Sequence, residues 1–292
     1  MQMRKNVCFK FFLFLYFFPS FLIGHELSVC AIFRDEARFM KEWIEYHLMV
    51  GVEHFYLYNN LSTDNYSEIL DPYLEKGIVD LIEWNQDFAD LEEWNTIQCT
   101  AYTDCIQKTR DKDEWLAFID LDEFIVPVVG NNAASILKNY KNYSGLGVNW
   151  QCYGSSDVYQ IPEEKLLIET LLKKGSNKEK KHQFIKSIIR PKFTSHCTNP
   201  HWVHFLAGYH VNEDKVRCNS HLSPYISTKI IRINHYWSRD KQFLYDIKLP
   251  RMQRIASNYT KAAIDVADQN FNVQYDSIML KFVDELRQRM GY

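Results

Sequence analysis

Short apolar runs alternate with longer amphipathic stretches between residues 26 and 119. The apolar runs predict four buried strands, Glu26–Phe33, His54–Tyr58, Ile78–Trp84 and Trp115–Ile119. The amphipathic stretches predict three helices, Arg34–Val50, one that ends at Lys76, and Trp94–Arg110, and a glycine follows each of the first two. Because strands and helices alternate at the spacing of βαβ units, we predict an α/β fold with a mostly parallel sheet flanked by helices.

The pattern is less regular beyond residue 130. It predicts helices at 132–141 and 163–174, strands at 145–150, 185–190 and 229–234, and closing helices from about Arg239 and Asp276. A charged, polar break covers Gly175–His182, which is either a solvated loop or a lid over a bound ligand. We predict a single domain, residues 26–292, whose two halves are 26–130 and 131–292.

The amino terminus carries basic residues before an apolar run. Arg4, Lys5 and Lys10 precede Phe11–Ile23, whose length suits a signal peptide and is short of the roughly 20 residues of a membrane span. We predict that residues 1–25 are a signal sequence or a short membrane anchor, with a buried helix as the alternative. We therefore predict that the protein is membrane-associated or in the secretory pathway. If the segment spans the membrane, the folded part lies across it from the cytosol. In a bacterium we expect the protein at the cytosolic face of the membrane.

Composition narrows the possible classes of function. The formal net charge is -3, which argues against a nucleic-acid partner. Aromatic residues make up 15% of the chain, which suits either a carbohydrate-binding cleft or a large core. No Cys-x-x-Cys pair occurs, which argues against a zinc ribbon. Cys30 and Cys99 lie in apolar segments and are predicted to be buried thiols, whereas Cys197 and Cys218 could pair in an oxidising compartment.

The clearest candidate for chemistry is WLAFIDLDEFIVP, residues 115–127, in which an apolar strand runs into Asp120 and Asp122. Residues i and i+2 of an extended chain point to one side, so both carboxylates are expected to address one point. Ligands of open α/β sheets bind beyond the carboxyl ends of the strands. Two adjacent carboxylates need a neutralising charge, and Mg²⁺ or Mn²⁺ suits such oxygen ligands. The alternative is a solvated acidic turn.

Polar residues also follow the first two strands. Arg34, Asp35 and Glu36 follow the first strand at the start of a helix, where they could contact a nucleotide. The alternative is an acidic helix start with a surface arginine. The loop after the second strand contains Asn59, Asn60 and Asp64. Such short polar side chains suit either a turn or hydrogen bonds to a nucleoside.

The carboxyl-terminal part contributes a histidine and two basic residues. His235 ends an apolar strand and could reach the same edge as the two aspartates, where a neutral imidazole would be a further metal ligand. Lys248 and Arg251 lie on a predicted helix and could neutralise phosphate. A core histidine and surface charges are the alternatives.

Together these segments resemble glycosyltransferase family 92 and its family-2-like bacterial relatives. The likeness begins with CAIFRDEARFMKEWIEYHLMVGVEHFYLYNNLSTDN, residues 30–65, and includes Asp120–Phe124. It continues through WQCYGS, residues 150–155, and Asn234–Tyr236. These motifs follow the family's order from about Leu27 to Arg251, which is more specific than any one of them. Asp157 stands where relatives often have glycine.

The resemblance implies a GT-A (Rossmann-like) catalytic domain that transfers a hexose, with galactose favoured, from a UDP-sugar to a glycan or another hydroxyl acceptor. It implies Mn²⁺ (or Mg²⁺) as cofactor and inversion at the anomeric carbon. In this interpretation 26–130 is the nucleotide-sugar-binding half and 131–292 the acceptor-binding half. Asp120, Asp122 and His235 would hold the metal, and the polar residues after the first two strands would surround the uridine.

Inversion requires a carboxylate base that takes the proton of the acceptor hydroxyl. Asp157 is the candidate because it follows the Gly-Ser-Ser turn in the second half, with Glu163 and Glu164 as rivals. Two other functions stay open. One is a non-catalytic, transferase-like sugar-binding protein. The other is a haloacid-dehalogenase-type phosphatase, although its motif normally continues to Thr or Val where this chain has Phe124.

Overall fold

A computed structural model describes residues 24–256 and 259–292 of the chain. Most of the predicted signal sequence or anchor, residues 1–23, lies outside this range. None of the helices that the structure describes is both long enough and apolar enough to cross a membrane.

The secondary structure alternates strictly up to residue 118 and then becomes mixed. The strands are β1 (Leu27–Phe33), β2 (His54–Asn59), β3 (Val79–Glu83), β4 (Trp115–Phe118), β5 (Glu123–Pro127), β6 (Gly145–Cys152), β7 (Lys173–Lys174), β8 (Ile185–Ile189), β9 (Thr194–Asn199), β10 (Trp202–Phe205), β11 (His210–Val211), β12 (Ile231–His235) and β13 (Gln274–Tyr275). The α-helices are α1 (Ala37–Met49), α2 (Tyr66–Glu75), α3 (Leu91–Thr109), α4 (Ala133–Leu137), α5 (Leu167–Thr170), α6 (Lys241–Phe243), α7 (Leu249–Ile255), α8 (Lys261–Asn270) and α9 (Val283–Met290).

One sheet joins both halves of the chain. Within the described residues its strand order is β3-β2-β1-β4-β8-β6-β12-β5, and β11 pairs with β6 at the side. Strands β1 to β4 run parallel, as do β6 and β12, whereas β8 and β5 are antiparallel to their neighbours. The predicted α/β fold with a mostly parallel, helix-flanked sheet is therefore confirmed. The sheet brings the carboxyl ends of β1, β4, β6 and β12 to one edge.

Helix α1 fixes the start of β5 through three side chains. The indole N–H of Trp43 donates to Glu123 O at 2.8 Å, and the Tyr46 hydroxyl donates to Ile125 O at 3.1 Å. His47 Nε2 accepts from Ile125 N–H at 3.2 Å. Burial lowers the pKa of His47 to about 3, so its ring stays neutral and keeps this acceptor. The side chains of Trp43, Tyr46 and His47 on α1 thus hold the chain immediately after Asp122.

The predicted helix at 163–174 is wrong over most of its length. Only Leu167–Thr170 is helical, and Lys173–Lys174 instead forms β7, which pairs with β13. Lys165 N–H donates to Pro162 O, which closes a turn before the helix. Apolar residues at helical spacing misled the prediction, because the turn after Pro162 sets where the helix begins.

Candidate active site

A pocket opens at the edge of the sheet where β1, β4 and β12 end. Its apolar lining residues are Ile32, Phe33, Phe88, Trp94, Phe243, Met252 and Ile255, and four of them (Ile32, Phe88, Trp94 and Ile255) belong to one apolar cluster. Its ionisable lining residues are Arg34, Glu36, Asp120, Asp122, His235, Lys248 and Arg251. The pocket therefore combines aromatic and aliphatic surface with both acidic and basic groups.

Asp120 and Asp122 lie on a turn and not on an extended strand, so the geometry expected from the sequence is wrong. Strand β4 ends at Phe118, and Glu123 N–H donates to Asp120 O at 3.0 Å. The Glu123 carboxylate accepts from Asp120 N–H at 2.8 Å and so closes the turn from the other side. Both aspartates nevertheless line the same pocket.

Lys186 on β8 neutralises the first half of this acidic motif. Its Nζ lies 2.7 Å from Asp120 Oδ2 and 3.2 Å from Glu123 Oε2, and the lysine is fully buried. Burial alone would lower the pKa of Lys186, but the two carboxylates raise it above its usual value. Gln98 Nε2 donates to the other Asp120 oxygen at 2.9 Å. Asp120 is therefore held on both of its oxygens.

Asp122 faces His235 and Lys248. Its Oδ2 lies 3.2 Å from Lys248 Nζ and 3.5 Å from His235 Nε2. Burial would raise the pKa of Asp122, but these two neighbours outweigh burial and hold it well below the usual range. Burial lowers the pKa of Lys248 and of His235, and Asp122 offsets part of each shift. An ionised Asp122 beside a neutral imidazole is the state that binds a cation.

The donor set of this pair suits a divalent metal. A carboxylate oxygen and an imidazole nitrogen that face each other across 3.5 Å are ligands that Mn²⁺ accepts. In the described part of the chain, no three or more His, Cys, Asp or Glu side chains converge as a metal cluster. The expected set of Asp120, Asp122 and His235 is thus not assembled as a cluster; Lys186 and Gln98 contact Asp120, and Lys248 contacts Asp122.

Arg34, Glu36 and Arg251 line the pocket beside the end of β1. Glu36 is ion-paired through one oxygen with Arg239 and through the other with Arg251, at 3.0 Å in the latter case. Arg251 also donates to Arg34 O at 2.8 Å. Arg251 is thereby held against the strand end, with part of its side chain exposed to the pocket.

Four residues expected to contact a nucleotide form hydrogen bonds with the loops and strand ends around them. Asp35 accepts from Thr63 N–H at 2.7 Å, and Asp64 accepts from Ala37 N–H at 2.8 Å. Asn59 donates to Glu83 at 2.9 Å, and Asn60 donates to Trp84 O at 2.9 Å. None of Asp35, Asn59, Asn60 and Asp64 is among the described residues that line the pocket. The turn interpretation of these residues accounts for their contacts.

The structure does not bring Asp157 into the pocket either. Its side chain is 63% exposed and lies 2.7 Å from Lys173 Nζ and 3.7 Å from Lys241 Nζ. The hydrogen bond from Lys173, with the charge of Lys241 added, holds the pKa of Asp157 below its usual value. A carboxylate that is paired with two lysines and directed to solvent is poorly suited to act as a general base.

Sequence reasoning missed most of the apolar side of the pocket. Trp94 and Gln98 lie one helical turn apart on α3, and Trp94 packs on Phe88 with ring centroids 5.1 Å apart. The spacing of Trp94 and Gln98 was a usable signal, because residues i and i+4 share one face of a helix. Lys186 carried no such signal in the sequence.

The fold and the pocket define an α/β protein with an acidic motif at the carboxyl edge of a mostly parallel sheet. Residues 25–269 match the model of glycosyltransferase family 92, and the chain belongs to this family. A glycosyltransferase family 92 protein of rice (Oryza sativa subsp. japonica) is 28% identical over 216 residues, which cover 73% of this chain and 33% of that protein. A beta-1,4-galactosyltransferase of Caenorhabditis elegans is 23% identical and covers 75% of this chain and 49% of its own length.

The chain spans only about one third of the length of the first plant relatives. Among solved structures, the S. aureus TarS fragment 1–349 in complex with UDP is similar over 57% of this chain and 47% of that one. The TM-score is 0.37 and the identity 13%.

Proposed function

We propose that this glycosyltransferase moves a hexose, with galactose favoured, from a UDP-sugar to a hydroxyl acceptor, with a divalent metal and inversion at the anomeric carbon. The observation that carries the proposal is the pocket that is lined both by the packed aromatic pair Phe88 and Trp94 and by Asp122, His235, Lys248 and Arg251. Galactose is favoured because relatives of this chain include a beta-1,4-galactosyltransferase and galactan beta-1,4-galactosyltransferases.

In this proposal the apolar wall receives the base of the donor. Trp94 and Phe88 pack on each other, and Ile32 and Ile255 line the same side. Aromatic faces stack on nucleobases with a favourable energy of about 1–3 kcal/mol per base. The base would thus lie against α3, and the diphosphate would reach the charged side.

Lys248 and Arg251 would bind the diphosphate. Lys248 Nζ lies 3.2 Å from Asp122 Oδ2 and 4.7 Å from the centre of the Trp237 ring, inside the pocket. Arg251 is held by Glu36, which orients its guanidinium without covering it. Cations that are held in place before the reaction stabilise the charge that develops on the departing UDP.

Asp122 and His235 would be the protein ligands of Mn²⁺ or Mg²⁺, and Asp120 would border the site. When bound, such an ion neutralises the diphosphate and stabilises the leaving group. Asp122 would supply an ionised oxygen and His235 a neutral nitrogen. Lys186 would offset the negative charge of Asp120 and Glu123 beside them.

The experiment is release of UDP from a panel of UDP-hexoses by the full chain, after EDTA treatment and with or without added Mn²⁺. Metal-dependent release from one sugar, with UDP-galactose expected, supports the proposal. Binding of UDP without release from any sugar in the presence of metal and acceptor candidates would favour the non-catalytic alternative. Equal release in EDTA would remove the metal from the proposal.

A further inference from the structure

Two cysteines lie in contact next to the pocket. Cys99 is on α3 and Cys197 is on β9, and their sulfur atoms are 3.3 Å apart. The two residues are 98 positions apart in the chain and are both buried, with 7% and 6% exposure. Sequence patterning instead suggested that Cys197 and Cys218 could pair, whereas the Cys218 sulfur lies 3.9 Å from Val216 O.

Helix α3 and strand β9 are also joined by other contacts, so the two cysteines stay in register. Cys197 N–H donates to Thr103 Oγ1 at 3.0 Å, and Arg110 donates to Thr194 O at 3.1 Å. The 3.3 Å between the sulfurs must shorten by about 1.3 Å to form a bond, since S–S is about 2.05 Å.

We propose that Cys99 and Cys197 form a reversible disulfide when the protein meets a peroxide. The bond would join α3, which carries Trp94 and Gln98 of the pocket, to the hairpin β9–β10. This modification site does not depend on which sugar is transferred.

The surroundings make the two thiols chemically unequal. The Cys197 sulfur lies 3.3 Å from the Cys99 sulfur and 3.1 Å from Asn199 O, so its S–H has two acceptors within reach. The hydrogen bond to Cys99, together with the charge of Lys186, lowers the pKa of Cys99 despite burial. The same hydrogen bond and burial raise the pKa of Cys197. Cys99 is thereby the better nucleophile, because the thiolate is the reactive form.

With hydrogen peroxide the reaction balances in two steps. The Cys99 thiolate attacks one peroxide oxygen, the O–O bond breaks, and a sulfenic acid and water result once protons are transferred. The Cys197 sulfur then attacks the Cys99 sulfur, the S–O bond breaks, and the second water leaves. Two thiols are oxidised to one disulfide, and one peroxide is reduced to two waters.

The test is a peptide map of the full chain. The reduced protein is treated with graded hydrogen peroxide, free thiols are alkylated, and the chain is digested without reductant for mass spectrometry. The expected result is a linked pair of peptides that contain Cys99 and Cys197 and separate on adding dithiothreitol. Recovery of both cysteines as alkylated free thiols, or linkage of either to another cysteine, would overturn the proposal.

A thermal measurement tests the same bond without digestion. Because a disulfide that closes a loop of about 100 residues restricts the unfolded chain, the oxidised protein should melt roughly 5–10 °C above the reduced protein. Cys197→Ala should abolish this difference, whereas Cys105→Ala, another buried cysteine of α3, should retain it. An equal difference in both variants would contradict the assignment. If Cys197→Ala does not fold, the peptide map of the unaltered chain still decides.

Discussion

The ammonium group of Lys186 lies 2.7 Å from Asp120 Oδ2, and Lys186 is completely shielded from solvent. Strand β8 is antiparallel to both of its neighbours, β4 and β6, and this pairing places the lysine under the turn that carries the acidic motif. Lys186 therefore supplies part of the neutralising charge that the acidic motif requires.

Replacing this buried cation should destabilise the fold. Lys186→Met leaves Asp120 and Glu123 facing each other without a counter-charge, and removal of one partner of a buried ion pair costs about 3–5 kcal/mol. Urea unfolding should report this loss in the free energy of unfolding. Lys192→Met, an exposed lysine near the end of the same strand, is the control and should stay within about 0.5 kcal/mol of the unaltered chain. Equal stability of the two variants would show that Lys186 does not carry the compensation.

The two candidate functional aspartates should behave differently. Asp122→Asn should lower the rate of metal-dependent transfer by roughly 100-fold or more, because it removes an ionised oxygen directed into the pocket. Asp157→Asn should change kcat less than about fivefold, because that carboxylate is exposed and paired with two lysines. Steady-state kinetics on both variants, with unfolding curves to establish folding, makes the comparison. A large loss of kcat in Asp157→Asn would restore Asp157 as the base.

The apolar wall should determine affinity for the nucleotide. Trp94→Ala should weaken UDP binding roughly tenfold, since loss of one stacking partner costs about 1–3 kcal/mol. Isothermal titration calorimetry with UDP measures this directly. Trp202→Ala removes a tryptophan of β10 that packs on His210, outside the pocket, and should bind UDP as the unaltered chain does. Matching affinities for the two variants would mean that the base does not lie on Trp94.

Much of the fold follows from local pattern. Strands β1, β2 and β4 are apolar runs bounded by polar residues, and a glycine follows α1. These local signals were enough to locate the three strands and the end of the helix. The acidic motif was equally visible because it follows directly on a buried strand. These features depend on residues that are adjacent in the chain.

The parts that could not be predicted depend on contacts between distant residues. Lys186 lies between Ile185 and Ser187 in a short strand and resembles any surface lysine until the antiparallel pairing of β8 is known. The turn at Asp120 arises because the Glu123 carboxylate accepts from the Asp120 N–H, which no periodicity encodes. Asn59 and Asn60 looked equally suited to a turn and to a ligand, and only their partners on β3 and beyond decide between them.

His47 on α1 should stabilise the fold through its hydrogen bond to β5. His47→Ala leaves the buried N–H of Ile125 without its acceptor and opens a cavity beside Phe124. The expected loss is about 2–4 kcal/mol in the free energy of unfolding. His47→Gln, which can still accept a hydrogen bond, should recover part of that loss in the same urea titration. A loss as large in His47→Gln as in His47→Ala would assign the effect to packing and not to the hydrogen bond.

Glu42 should make stability depend on pH. It is buried on α1, and its carboxylate accepts from the N–H groups of Leu167 at 2.8 Å and Ile168 at 3.1 Å. Burial outweighs these two bonds and raises the pKa of Glu42 from 4.5 to about 7. The folded chain therefore binds more protons than the unfolded chain between these values, so the free energy of unfolding falls as pH rises through this window.

The fall attributed to Glu42 is about 3 kcal/mol, complete above pH 7, and largely absent in Glu42→Gln, which carries no titrating proton. The measurement is the free energy of unfolding of both proteins from pH 5 to pH 8, expressed as their difference at each pH. Glu68→Gln, at an exposed position of α2, is the matched control and should follow the unaltered chain throughout. A difference between Glu42→Gln and the unaltered chain that stays constant over this range would mean that the two backbone N–H groups, and not burial, govern Glu42.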